Sequence, residues 1–326
     1  MEKILNILGP TFLSFKEFGF AYGLQGSLVR RNLEKLWFQH CITMAKHNVF
    51  FIHSNNLMSN INDISDVGLD NVPFGIAEID EVKNTWNQSI PILNSRSISH
   101  RVAKITTVYE SDDSIISVKD LFYKKQRERK SWWRKISENP SIYFMSEIKR
   151  DKGKEYAEIE ARFPFGNIVV ETLNFKNSAK KLLPSVENSQ NLKIVEHTLS
   201  LDWGCLTLLC DGYIEIEDSK ELQMHPKLLP YKAYCKPIIS PSDEKNIQED
   251  VCDLSIYITE LLRKQGIDSI LMNEAKKPEI FRVPYVITVD SESLKTGLCK
   301  LNCQRTLCGE IVHITDLAKR VSDYCI

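Results

Sequence analysis

Apolar residues recur along this chain with two periods, and the switches between them outline its architecture. Over residues 27–47, Leu28, Leu33, Leu36, Trp37 and Met44 return at helical spacing, while Arg30, Arg31, Glu34 and Lys35 fill other faces. The pattern predicts one helix with Ser27 as its N-cap. Ahead of it, Tyr22-Gly23-Leu24-Gln25-Gly26 reads as a glycine-bearing turn; behind it, residues 55–71 are polar and read as a loop. Residues 74–79 and 105–109 predict strands, and 118–137 a charged helix. Residues 156–162 and 167–173 flank the turn Phe163-Pro164-Phe165-Gly166 as two antiparallel strands. Residues 193–199 predict a strand, and 201–210 are apolar enough for a buried helix.

The rhythm changes past the proline-containing string Met224-His225-Pro226-Lys227-Leu228-Leu229-Pro230. Residues 231–239 predict a strand. Residues 246–265 predict an amphipathic helix with Val251, Leu254, Ile258, Leu261 and Leu262 inward, stopped by Gly266. Short strands follow at 270–272, 285–289, 298–303 and 310–313, and a helix closes the chain at 315–324. Strand–helix alternation with a final helix implies a small mixed α/β unit. The expected division is a larger first domain over residues 1–222 and an α/β domain over 223–326, a length that allows each part its own core.

Composition narrows the function classes. The 326 residues are 43% hydrophobic, yet runs such as Ile168–Val170 are far too short to span a bilayer. The formal charge is −1, whereas a protein that coats nucleic acid by itself is usually clearly basic. Any nucleic-acid contact is therefore a local patch or shared with a partner. Nine cysteines, an odd number without a secretory-type start, predict reduced thiols. The start also lacks the Arg- and Ser-rich look of a mitochondrial presequence.

Three segments resemble the glycyl type of class II aminoacyl-tRNA synthetase. Tyr22-Gly23-Leu24-Gln25-Gly26-Ser27-Leu28-Val29-Arg30-Arg31-Asn32-Leu33 is similar to the family's motif 1 entry, roughly YGPLGxxLxxN. Pro73-Phe74-Gly75-Ile76-Ala77-Glu78-Ile79 is similar to its PFGIAQI strand leading into motif 2, and His225-Pro226-Lys227-Leu228-Leu229-Pro230-Tyr231-Lys232 to the start of its anticodon-binding domain. Trp132-Trp133-Arg134-Lys135, with Phe163-Pro164-Phe165-Gly166 and Glu171-Thr172-Leu173, resembles in particular the accessory (processivity) subunits of mitochondrial DNA polymerases, which share that scaffold. The resemblance implies an α/β fold: a class II synthetase-like antiparallel sheet core followed by an anticodon-binding-like mixed α/β domain. It also implies a mitochondrial location, a polymerase catalytic subunit as partner, and no cofactor.

Departures from the synthetase pattern carry as much meaning. Motif 2 needs an arginine just past its first strand, where a bidentate guanidinium holds carboxylate and α-phosphate. By spacing, Asn84 stands there, within Asp80-Glu81-Val82-Lys83-Asn84-Thr85-Trp86. Motif 3 ends in an arginine against ATP; the matching string Leu201-Asp202-Trp203-Gly204 puts Trp203 in its place. An amide and an indole do not stabilise a pentavalent phosphate. The expectation is a non-catalytic chain; an active synthetase and a free-standing tRNA-binding module are the competing readings. Vertebrate accessory subunits dimerise through a helical insertion before the PFGIAQI-like strand. Residues 48–72 are too few for such a helix pair at about 1.5 Å per residue, which predicts a monomer that joins one catalytic subunit.

The stretch 124–135 holds seven basic residues, Lys124, Lys125, Arg127, Arg129, Lys130, Arg134 and Lys135, and one acid. It reads either as a phosphate-contacting patch for template duplex or primer-template DNA, needing no base specificity, or as a solvated helix that packs Trp132 and Trp133 into the core. Cys299, Cys303 and Cys308 lack zinc-knuckle spacing and read as small apolar residues, with no metal site. The second domain has balanced charge, and the resemblance implies that it docks on the catalytic subunit, with Leu228, Leu229 and Tyr231 as candidate exposed contacts.

Overall fold

The computed structural model describes residues 1–16, 18–52, 72–87, 90, 97–110, 117–151, 154–183, 189, 191–216, 219–271 and 283–325. Most of the 48–72 segment, on which the expected monomeric state rests, lies outside them. Contacts group the chain into two units, Met1–Gly212 and Tyr213–Ile326.

In the first unit the strands are β1 (Leu13–Lys16), β2 (Gly19–Tyr22), β3 (Val49–Phe51), β4 (Phe74–Asn84), β5 (Ile98–Glu110), β6 (Tyr143–Met145), β7 (Lys149–Asp151), β8 (Lys154–Phe163), β9 (Gly166–Lys176) and β10 (Leu192–Ser200). The α-helices are α1 (Glu2–Leu8), α2 (Leu24–Phe38), α3 (Val118–Lys135) and α4 (Leu201–Gly212). Strands β4, β5, β10, β9 and β8 pair antiparallel in that order and form the centre of a ten-stranded sheet. The antiparallel core expected from the synthetase resemblance is present.

Register sorts the side chains into two faces. Ile79, Ala103, Leu199 and Glu171 lie in one row, and Ala77, Ile105, His197 and Leu173 in the next. This face is buried beneath helices: Gly204 of α4 lies so close to Trp133 of α3 and Leu33 of α2 that an added Cβ would collide with the indole. The opposite face carries Glu78, Lys104 and Thr198 in one row and Thr106, Glu196 and Asn174 in another.

Two local features depart from simple periodicity. Helix α2 starts at Leu24 with Gly23 as its N-cap, and Ser27 lies inside the first turn. The reason is close backbone approach. The Gln25 and Gly26 N–H groups donate to the Thr11 carbonyl at 3.0 and 3.2 Å, so a neighbouring strand entry supplies the cap. A side chain at Gly23 or Gly26 would strike the Pro10 or Phe12 carbonyl. The helix ends at Phe38 and runs into a π-turn, Gln39–Thr43, so the expected continuation to residue 47 is broken. The second feature is a bulge in β9. The β8–β9 register shifts between Ile159 and Glu160, leaving Val170 as the extra residue. Ile168, Val170, Glu171 and Leu173 are all fully buried, so the bulge turns Glu171 into the helix-covered face.

The second unit holds the hairpin β11 (Tyr213–Ile216) and β12 (Ser219–Leu222), then β13 (Ala233–Pro237), α5 (Lys245–Lys264), β14 (Ser269–Leu271), β15 (Tyr285–Val289), α6 (Ser291–Thr296), β16 (Leu298–Cys303), β17 (Gly309–His313) and α7 (Ile314–Cys325). The five-stranded mixed sheet runs β14-β13-β15-β16-β17, parallel where β13 meets β14 and β15. Val251, Ile258 and Leu262 of α5 and Leu317 and Val321 of α7 pack on Cys235, Ile287 and Leu301 in one core. Gly266, at φ 76°, ends the α5 region as its position in the sequence predicts. Helix α6 is too short for periodicity to reveal; Asp290 and Ser293 close a capping box around it.

Candidate functional site

The polar side of the first sheet leads to Asn84 and Trp203, the two positions where the synthetase resemblance expects arginines. Asn84, at the end of β4, accepts two hydrogen bonds on one oxygen, from the Trp86 N–H at 3.0 Å and from His100 Nε2 at 3.0 Å. Because that oxygen only accepts, His100 carries its proton on Nε2, and Nδ1 takes the Ser200 hydroxyl at 2.8 Å. Burial holds His100 down to about 4, so the imidazole is neutral. Ser200 Oγ in turn accepts the Trp203 N–H at 3.2 Å. The Trp203 ring is fully buried and meets Phe20 edge-on, centroids 5.0 Å apart. The two positions that a synthetase would fill with arginine are thus joined through His100 and Ser200 into one neutral, hydrogen-bonded and aromatic cluster.

Several of the charges nearby are paired. Around a cavity of about 850 Å³ that includes Arg30, Arg101, His100 and Asp202, Arg30 sits 3.6 Å from Asp202 and Arg101 sits 3.6 Å from Glu34. Asp202 also accepts the Tyr22 hydroxyl at 2.7 Å. In the middle of the face Lys104 reaches Glu78 at 2.8 Å and Glu196 at 3.6 Å, while Lys176 reaches Glu196 at 2.9 Å. Burial pulls the Lys104 ammonium down, but Glu196 and Glu78 outweigh it and leave it raised. Two lysines facing two glutamates give this middle part of the face no net charge.

Beside this face, Asn87 completes the bulge. Its side chain accepts the Val169 N–H at 2.6 Å and donates to the Val169 carbonyl at 3.0 Å, and Trp86 Nε1 donates to the same carbonyl at 3.1 Å. The backbone N–H and C=O of Val169, next to the bulge, are thereby satisfied.

Helix α3 carries the seven basic residues, and the structure separates them. Phe122, Gln126, Arg129 and Trp133 are buried at helical spacing; Lys124, Arg127, Arg134 and Lys135 are exposed, and Lys125 and Lys130 are half-buried. Arg129 is therefore corrected out of any DNA patch. It is fully buried, with Nε 2.8 Å and Nη2 3.2 Å from the two Glu171 oxygens. Trp133 Nε1 donates to Glu171 Oε2 at 2.8 Å and His197 Nδ1 to Oε1 at 3.0 Å. Arg129 also stacks over the Trp132 ring at 4.3 Å. Burial alone would raise the Glu171 carboxyl; Arg129 and His197 outweigh it and keep it ionised. Both tryptophans are core, 6% and 0% exposed. Arg134 is exposed but donates Nε and Nη2 to the Tyr143 carbonyl at 3.2 and 2.9 Å. Lys125 pairs with Glu128 at 3.1 Å.

In the second unit Leu228 and Leu229 are buried, which corrects their expected place on an exposed contact surface; Tyr231 is half-buried. The segment wraps the Lys232 ammonium, which donates to the carbonyls of Pro226, Lys227 and Leu229 at 2.7, 2.8 and 2.8 Å. No group of His, Cys, Asp or Glu side chains suited to a metal occurs among the described residues.

No protein-family model matches this chain. Among curated proteins it is similar to the DNA polymerase subunit gamma-2, mitochondrial, of Drosophila melanogaster, 26% identical over 229 residues, 63% of this chain and 62% of that protein. The Xenopus laevis protein of the same name is 24% identical over 289 residues, 78% of this chain and 59% of that protein. Similarity extends to the glycine–tRNA ligase of Methanocaldococcus jannaschii, 26% identical over 196 residues, 57% of this chain and 31% of the ligase. The chain spans about 60% of the length of these two polymerase subunits. Its mixed α/β architecture, with an antiparallel sheet and a second sheet, fits the class II synthetase-like fold.

Proposed function

We propose that this chain is a non-catalytic accessory subunit of a mitochondrial DNA polymerase, which binds the catalytic subunit and primer-template DNA and raises processivity. Similarity to proteins named as polymerase gamma-2 subunits supports the role. The observation that carries the non-catalytic half is the Asn84–His100–Ser200–Trp203 cluster, a neutral lattice where adenylate chemistry requires two guanidinium groups. The DNA-facing surface in this reading is the outer face of α3, with Lys124, Lys125, Arg127, Lys130, Arg134 and Lys135. Such a face binds the phosphate backbone without reading bases, as a polymerase that copies any sequence requires. Docking adds buried area and basic contacts, so the complex leaves DNA more slowly and adds more nucleotides per encounter. The chain acts as a monomer, one per catalytic subunit.

Similarity to glycine–tRNA ligases keeps a second reading in view, a synthetase-derived module that binds tRNA. Two assays on the purified chain separate them. The accessory-subunit reading expects co-elution with the polymerase catalytic subunit and no glycine-dependent ATP–pyrophosphate exchange. Exchange above background, or tight tRNA binding without co-elution, rejects it.

A further inference from the structure

The hairpin that joins β16 to β17 sets two cysteines across from each other. Leu301 pairs with Glu310 and Asn302 with Gly309; one step further, Cys303 lies opposite Cys308, and the Cys303 N–H donates to the Cys308 carbonyl at 2.8 Å. Opposed residues of an antiparallel pair point to the same face and hold their Cα atoms about 4.5–5.5 Å apart. That lies within the roughly 4.4–6.8 Å that a disulfide spans.

Both sulfurs gather on Thr306. Cys308 Sγ bonds the Thr306 carbonyl at 3.5 Å. Cys303 is hydrogen-bonded by the Thr306 hydroxyl, the backbone N–H groups of Thr306 and Arg305, and the Tyr285 hydroxyl. Burial raises the Cys303 thiol, but these bonds outweigh it and bring it below the ordinary value. Burial instead raises Cys41, Cys205, Cys210, Cys235 and Cys299, which disfavours their thiolates. Cys308 is exposed, and Cys303 is half-buried in the wall of a cavity of about 470 Å³ that also admits Cys308. A small oxidant therefore reaches both.

We propose that Cys303 and Cys308 form a reversible, peroxide-reactive disulfide site at the tip of the β16–β17 hairpin. Cys303 thiolate attacks hydrogen peroxide: the S–O bond forms, the O–O bond breaks, and hydroxide leaves to take up the proton that the thiol released. The product is a sulfenic acid on Cys303. The Cys308 thiol then attacks that sulfur, the S–S bond forms, and water leaves with the thiol proton. In all, two thiols and one peroxide give one disulfide and two waters, and a dithiol reductant reverses it.

The test is a peroxide titration of the reduced full chain, followed by alkylation and peptide mass mapping. The Cys303–Cys308 linked peptide is expected first, and dithiothreitol removes it. Cys308→Ser should accumulate a dimedone-reactive sulfenic acid on Cys303, while Cys303→Ser accumulates none on Cys308 at the same dose. In the unoxidised wild type, iodoacetamide should label Cys303 faster than Cys205, whose thiol is fully buried and raised by that burial. The proposal is overturned if Cys303 and Cys308 stay separately alkylatable while other cysteines oxidise, or if the sulfenic acid forms on Cys308 instead.

Discussion

Replacing Arg129 by methionine separates two roles that a basic helix residue can have. The side chain keeps its length and loses the charge, so Glu171 stays buried at 0% exposure without the partner that sits 2.8 Å away. Removing one member of a buried pair costs about 3–5 kcal/mol, most of it the stranded charge. A domain of some 200 residues loses roughly 2–4 °C of Tm per kcal/mol, so the variant should melt about 6–20 °C lower. Trp133 and His197 still donate to Glu171 and temper the loss. The deficit should narrow as the pH falls, because an unpaired buried carboxyl takes up a proton readily. Adding Glu171→Gln should recover part of the stability, with a coupling of about 0.5–3 kcal/mol in the double-mutant cycle. Calorimetry or near-ultraviolet circular dichroism reads all four proteins. A variant that melts within about 2 °C of wild type while losing DNA affinity would refute this account and return Arg129 to the surface.

Two further outcomes follow from the same structure. Lys124→Ala, Arg127→Ala and Lys135→Ala together should weaken duplex binding and flatten its salt dependence by about 0.9 in log–log slope for each phosphate no longer neutralised, with Tm unchanged because all three side chains are exposed; an unaltered slope would show that this face meets no phosphate. His100 and His197 are both held down to about 4 by burial, below an unfolded value of about 6.5. The unfolded chain therefore binds protons first, so their contribution is full above about pH 6.5 and drains away as the pH falls toward 4. Denaturation midpoints measured between those limits should fall with acid, and less steeply in His100→Gln; a flat profile would mean that His100 is solvated.

Much of the fold is legible in the chain because hydrophobic periodicity reports burial. The β8–β9 hairpin, α4 and the 285–289 and 298–303 strands fall where alternation and turn residues put them. Three features are not legible, each decided by tertiary structure. Nothing local marks Val170 as a bulge, so nothing local tells that Glu171 faces inward. Arg129 looks like its six basic neighbours until the helix is rotated against the sheet; its one sign in the sequence is its place four residues before Trp133 and seven after Phe122, on the apolar stripe. Leu228 and Leu229 sit between prolines and read as a surface loop, yet the Lys232 ammonium gathers the segment's carbonyls and folds the leucines inward. At the candidate site the substitutions at Asn84 and Trp203 are readable by spacing. The His100–Ser200 link is not, because those residues are 100 positions apart in the chain.

The central claim is that a scaffold without adenylate chemistry serves a polymerase. Primer extension by the mitochondrial catalytic subunit, with a trap for released enzyme and at moderate salt, tests it most directly. Adding this chain should lengthen the products of a single binding event, and the triple Lys124, Arg127 and Lys135 variant should lengthen them less. Product lengths that stay the same with and without the chain, at concentrations saturating for any complex, would contradict the account.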